Sequence, residues 1–220
     1  MTTTIQPSPS APREGDIIFS RIPNLLYRKV AEATGSPTSH VGILFSDGQG
    51  GWLVAESKVP VARYSTLHNF LARSAGGWHV IRRLRTPLTP DQVKALRAAA
   101  DARMGSLYHS GFDFAAKRTF CSKFVHEVFK AALGVEVGRG ETFAQLLHKQ
   151  PATALAFWKC WFFGNIPWQR TTVTPASQLV CDKLHTVWTS HPDDQHCPVR
   201  EPVPLQSSRC RAVERLPLIY

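Results

Sequence analysis

Apolar residues fall in short runs through the first part of the chain and in helical stripes after it. Behind a Gly15-Asp16 turn, Asp16-Ile17-Ile18-Phe19 is a short apolar run and predicts a strand. Residues 24–34 place apolar side chains at 25, 26, 30 and 33. That spacing predicts a short helix, with Asn24 as N-cap and Gly35 after its end. His40 to Phe45 and Trp52 to Glu56 are β-prone runs around a Ser-Asp-Gly-Gln-Gly-Gly loop, and predict a hairpin. Val59 to Tyr64 and His79 to Leu84 predict further strands. Thr89-Pro90-Asp91 opens a helix to about Met104, with Thr89 as N-cap and Pro90 at the first helical position. Over Cys121 to Leu133 the stripe Phe124, Val125, Val128, Phe129, Ala132 predicts a second helix, ended by Gly134. Residues 142–168 read as helical and aromatic. Strands first and helices after them predict an α+β fold with a mostly antiparallel sheet.

Three segments follow from this pattern: a Thr-, Ser- and Pro-rich leader over 1–14, expected to be disordered; one domain over 15–188; and a Pro-rich irregular tail over 189–220. The chain has 220 residues, 43% of them hydrophobic, enough for one sizeable core. Its 26 Lys and Arg against 16 Asp and Glu leave a formal charge of +10, which favours an anionic partner or surface without identifying one. The five cysteines are odd in number and widely spread, which does not resemble a disulfide framework. With no apolar signal segment in the first fourteen residues, a reducing, cytoplasmic setting is expected. The most apolar stretch, Ala152 to Trp168, is interrupted by Lys159, Gly164, Asn165 and Pro167 and falls short of a membrane span. Its aromatic residues belong either to the core or to a lip facing substrate or lipid.

Cys121 stands where a loop meets an amphipathic helix. Free N–H groups and the helix dipole stabilise a thiolate there, and the same N–H groups can hold an oxyanion. Taken alone, such a cysteine reads equally well as a small buried hydrophobe. A nucleophile also needs a base, and the chain has nine histidines. His126 lies about 140° round the helix from Cys121 and points elsewhere. His68, His79, His109 and His148 lack a supporting pattern, and His185, His191 and His196 fall at or in the tail. His40 opens a strand. A hairpin register with Leu44 opposite Trp52 sets His40 directly opposite Glu56, where the carboxylate can orient the imidazole. A slip of one residue would put the two on opposite faces.

Gly15-Asp16-Ile17-Ile18-Phe19, Ser39-His40-Val41-Gly42-Ile43, Val54-Ala55-Glu56-Ser57, Phe120-Cys121-Ser122-Lys123-Phe124-Val125 and Thr174-Pro175 with Leu179 occur in that order. Together they resemble the YaeF/YiiX/YebB group of permuted papain-like enzymes within the wider NlpC superfamily. The resemblance covers about residues 15–185. It implies a circularly permuted papain-like fold, a mostly antiparallel sheet or partial barrel packed against helices that include the cysteine helix. It implies hydrolysis of an amide or related acyl bond through a thioester, with Cys121 as nucleophile, His40 as general base and Glu56 as the third member. The group usually shows an acid where this chain has Lys123, a change expected to affect what approaches the site.

Tyr108 and Ser122 are further candidates for lining the substrate pocket. The expected substrate is a small peptide, amide or lipid, with no cofactor and no metal. Three rival readings stand beside this one. A lipid acyltransferase or phospholipase resembling lecithin–retinol acyltransferase has the same His-then-Cys order. A non-catalytic basic module would use Arg82, Arg83 and Arg85, but no motif for specific nucleic-acid binding is present. A metal site from Cys181, His185, His191, His196 and Cys197 has no standard zinc spacing.

Overall fold

The strands expected in the first part of the chain do pair, and each pairing is antiparallel. A computed structural model describes residues 11–151 and 153–191. Within them the order is β1 (Ile17–Ser20), α1 (Leu25–Thr34), β2 (His40–Ser46), β3 (Trp52–Ser57), β4 (Ala62–Thr66), α2 (Leu67–Leu71), β5 (His79–Leu84), α3 (Pro90–Asp101), α4 (Cys121–Leu133), β6 (Gly140–Thr142), α5 (Phe143–Lys149), α6 (Leu155–Trp161), β7 (Thr171–Val173), α7 (Pro175–Leu179) and β8 (Leu184–Thr189). The main sheet runs β4-β3-β2-β1-β5-β8 and stays open rather than closing into a barrel. β6 and β7 form a separate two-stranded ribbon.

Three apolar clusters hold the elements. Alternate residues of β1, β2 and β5 face α3 and α4, where Phe19, Val41, Ile43 and Phe45 meet Leu96, Phe124, Val125 and Val128. The opposite pleat, Ile18, Leu44, Val54 and Ile81, packs on Phe70 of α2. A third cluster lies away from the sheet, where Phe112, Phe120, Phe143, Leu147, Trp158 and Ile166 join residues of α1. Phe120 belongs to this third cluster and Cys121 to the first, so the start of α4 sits on the seam between two cores.

Several boundaries depart from the sequence expectations. The hairpin register is Ile43 opposite Ala55 and Leu44 opposite Val54, two residues away from the expected one. An even shift keeps every side chain on its expected face. The single helical stretch expected over 142–168 is two helices, because Pro151 forces its predecessor out of helical geometry; Gln150 has φ −126° and ψ 67°. Of its aromatic residues Trp158 is buried and Phe157, Trp161 and Phe162 are half-buried, whereas Phe163 is 98% and Trp168 41% exposed.

The expected disordered leader is tied down over residues 11–14. Arg83 donates to the Ala11 carbonyl, the Arg13 amide to Asp16, and Arg97 to Glu14. Residues 1–10 of that segment lie outside the described residues. The first residues of the tail expected from 189 are held by the sheet, since β8 runs to Thr189 and Ser190 bonds to both backbone groups of His79. Residues 192–220 also lie outside the described residues. No described helix is long and apolar enough to cross a membrane.

The Gly15-Asp16 opening has a structural purpose. Gly15 has φ +84°, and a Cβ there would lie 2.6 Å from Leu88. Asp16 is fully buried and receives Arg83 through both carboxylate oxygens, at 2.7 and 2.8 Å. Arg82 and Arg85 donate to the carbonyls of Leu184 and Asp182. The arginine cluster considered for an anionic surface is therefore engaged within the fold.

Candidate active site

His40 is the first residue of β2 and is completely buried. Tyr27 meets its ring edge-on at 5.5 Å, and Phe70 stacks on it at 5.6 Å. Two aromatic walls fix the plane of the imidazole. Its Nε2 lies 2.5 Å from Glu56 Oε2. Because the register differs by two from the expected one, Glu56 stands opposite Gly42, diagonal to His40. A Cβ on Gly42 would lie 2.4 Å from Val54 and 3.4 Å from the Glu56 Cβ, so this strand position has no room for a side chain.

Glu56 is itself fully buried. Its second oxygen accepts from Ser65 Oγ at 2.6 Å and from Arg73 at 2.5 Å. Burial alone would raise the carboxyl pKa. The hydrogen bond and charge of His40, with Arg73 and Ser65, reverse that and bring it down to about 2. Burial likewise works against a charged His40, but Cys121 and then Glu56 outweigh it, and the imidazole pKa is pushed up to about 9.

The other ring nitrogen, Nδ1, is buried and has no hydrogen bond of good geometry, and Cys121 is the neighbour that acts on the ring. Cys121 opens α4, whose N-cap, Phe120, supplies no side-chain acceptor. Helices α1, α2, α3, α5 and α7 are capped by Asn24, Thr66, Thr89, Thr142 and Thr174. The first N–H groups of α4 thus lack the side-chain cap that those helices have, and they lie beside the sulfur.

Tyr108 is brought to Cys121 by local pairing. Residues 107–109 run beside Thr119, with the His109 amide donating to the Thr119 carbonyl at 2.7 Å and the Thr119 amide to the Leu107 carbonyl at 3.2 Å. Cys121 and Tyr27 are the neighbours that act on its hydroxyl, and burial holds both phenols well above their ordinary pKa. Tyr27 escaped the sequence reading because it is one residue of an amphipathic helix, and its role as a wall for His40 arises only in the tertiary fold.

Ser122 lines the same pocket, but its hydroxyl donates to the Val173 carbonyl at 2.8 Å. The Ser122 carbonyl accepts from Gln178 at 2.8 Å, so the Thr174-Pro175 element braces the cysteine helix. Lys123 does not face an incoming substrate, contrary to expectation. Its side chain is buried, and its ammonium donates to the carbonyls of Ala116 and Arg118 and pairs with Glu127. His126 points away, to the Val137 carbonyl at 3.1 Å. Cys121, Cys160 and Cys181 are free thiols, and only Cys121 has a histidine partner of this kind. Among the described residues no three His, Cys, Asp or Glu side chains gather as a metal site; His196 and Cys197 lie outside them.

An apolar slot opens at this site. Tyr27, Tyr108, Cys121 and Ser122 line it together with residues of α1, α5, α6 and β7, and it is narrow, enclosing about 50 Å³.

Comparison with known proteins identifies the family. The family described as permuted papain-like amidase enzyme, YaeF/YiiX, C92 family, matches residues 11–188. A protein of Escherichia coli (strain K12) named uncharacterized protein YiiX is 29% identical over 176 residues, spanning 80% of this chain and 86% of that one. The crystal structure of metalloprotein yiiX from Escherichia coli O157:H7 superposes with a TM-score of 0.76 at 29% identity, covering 82% of this chain and 99% of the other.

Proposed function

The chain belongs to the permuted papain-like amidase family, and from that premise we propose that it is a cysteine hydrolase of amide or related acyl bonds, acting through Cys121, His40 and Glu56. One observation carries the reading: a buried imidazole held at Nε2 by a buried carboxylate, its Nδ1 free of any other partner, with the thiol of an uncapped helix start as the neighbour that acts on the ring.

In this mechanism His40 rests as an imidazolium, favoured by the sulfur and by Glu56, and Cys121 reacts as its thiolate. The thiolate attacks the acyl carbon and a C–S bond forms. The carbonyl oxygen becomes an oxyanion, held by the first N–H groups of α4 and by Tyr108, whose raised pKa keeps it a donor. The C–N bond then breaks, and His40 gives its proton to the departing amine. Water, deprotonated by His40, attacks the thioester. The C–S bond breaks, the acid leaves, and the ion pair is restored. Glu56 keeps Nε2 occupied throughout, so that Nδ1 serves the reaction.

The superposed yiiX protein is described as a metalloprotein. The described residues of this chain offer no matching donor group, and no step here runs through a metal.

Reaction with iodoacetamide at pH 7 followed by peptide mapping tests the reading. Cys160 is exposed and Cys121 buried. An activated thiolate predicts that Cys121 is alkylated first despite its burial, and that His40→Ala removes the preference. If Cys160 reacts first and Cys121 stays inert, the nucleophile assignment fails. Cys121→Ser should lose turnover by more than about 10³-fold while keeping its melting temperature.

A further inference from the structure

We propose that the exposed aromatic groove at the end of α6 is a membrane-docking surface that seats the protein on an anionic lipid bilayer without crossing it. Docking here goes beyond the hydrolase reading and does not depend on it.

The groove runs between α6 and the 110–111 turn, lined by Phe157, Trp161, Phe162 and Phe163 together with Ser110 and Arg170. Phe163 is 98% exposed, so no packing holds its phenyl ring. Its backbone has φ +51°, a region that favours Gly and Asn and disfavours a bulky side chain. Neither the turn nor the core therefore gains from a phenylalanine at this position. Trp161 donates its indole N–H to the Ser110 carbonyl at 2.9 Å and stacks on Phe157 at 5.8 Å. Its polar atom is used inside the fold, and the surface it adds to the groove is hydrocarbon.

The flanks are cationic. Between Glu141 and Asp182 the sequence has no Asp or Glu, while Lys149, Lys159 and Arg170 fall there. Lys159 is exposed on α6, and Lys117 and Arg118 are exposed on the loop before α4. Arg170 lies over the Phe162 ring at 5.6 Å and donates to the Gly111 carbonyl. Asp113 pairs with Arg170 at 3.7 Å and offsets one of these charges. His109, next to Ser110, is held below its ordinary pKa by burial, with Arg170, Lys123 and Arg118 opposing the pull of Asp113. The balance of charge on this side is positive.

An apolar point flanked by cations fits a bilayer surface, where aromatic rings enter to headgroup depth while Lys and Arg meet anionic headgroups. A second copy of the chain fits less well, because apposing two such faces brings like charges together. A single-stranded nucleic acid needs open ring faces for its bases, and Phe157 and Trp161 already cover one another.

Sedimentation of the full chain with sucrose-loaded vesicles tests this and needs no catalysis. Vesicles of equal parts phosphatidylcholine and phosphatidylglycerol should carry the protein down, and pure phosphatidylcholine should bind it about tenfold less or weaker. Phe163→Asn suits the left-handed turn and should keep the melting temperature while lowering affinity for the mixed vesicles by about tenfold or more. Phe163→Trp should keep the affinity. Lys159→Glu should lower it by about 20-fold on the mixed vesicles and leave binding to pure phosphatidylcholine unchanged. Absence of binding to the mixed vesicles would overturn the proposal, and so would equal binding by Phe163→Asn. Two rival occupants are read in the same proteins. Dimerisation in analytical ultracentrifugation, or binding of a single-stranded oligonucleotide, that Phe163→Asn abolishes while vesicles stay unbound would assign the groove to that partner and overturn docking on lipid.

Discussion

Glu56 is the residue on which the site's electrostatics turn. It receives His40, Ser65 and Arg73 with no exposure to water, an arrangement in which losing one partner leaves an uncompensated buried group. Glu56→Gln keeps the shape and removes the charge. The imidazolium is then favoured by the sulfur alone, so the pKa of His40 falls from about 9. Because His40 must be protonated to expel the amine in the proposed mechanism, the alkaline limb of the kcat/KM profile is expected near pH 9 in the wild type and at lower pH in the variant. The rate at neutral pH should also drop by about 10²-fold or more. A pH–rate profile of the two proteins checks both effects. An unmoved alkaline limb would mean that Glu56 positions the ring without governing its charge.

At the level of elements, α4 carries Cys121, the proposed nucleophile, and is braced from both sides. Gln178 of α7 holds the Ser122 carbonyl, and Lys123 draws in the 116–118 loop. Lys123→Met retains the buried stem and loses the loop contacts. It is expected to lower stability by about 1–2 kcal/mol and to speed amide exchange over residues 114–119, measured by urea titration and hydrogen–deuterium exchange. Unchanged exchange in that loop would refute the bracing role. Much of this architecture is legible in the sequence. Asn24 and Gly35 bound α1, and Thr89-Pro90 opens α3, because caps and Pro act locally. The stripe from Phe124 to Phe129 marks α4 for the same reason. What escapes depends on distant partners. β6 and β7 are three residues each and exist only as a pair. β8 has one buried residue, Leu184, followed by half-buried and exposed ones at the sheet edge, so no apolar run marks it as a strand. The hairpin register lies two residues from the expected one because its loop holds three glycines and fixes no turn type, yet the even shift preserves the link between His40 and Glu56.

Over the whole molecule, the proposed catalytic cluster is also a folding interaction, because His40, Glu56 and Cys121 come from three separate parts of the chain and meet at the seam of two cores. Its contribution to stability must therefore depend on pH, with a sign fixed by each group. His40 rises from 6.5 to about 9 on folding, so its contribution is complete below pH 6.5 and is lost as pH climbs through 9. Glu56 falls from 4.5 to about 2, so its contribution is complete above pH 4.5 and is lost as pH drops toward 2. The two windows overlap between pH 4.5 and 6.5. Replacing the imidazole in His40→Gln removes the upper slope at its source. Calorimetric melting from pH 3 to pH 10 should then show the wild type most favoured over the variant in the overlap, with the gap narrowing steadily from pH 6.5 to 9. A gap that stayed constant across that alkaline range would show that His40 is neutral in the folded protein, and the thiolate–imidazolium pair would have to be replaced by a neutral thiol awaiting a general base.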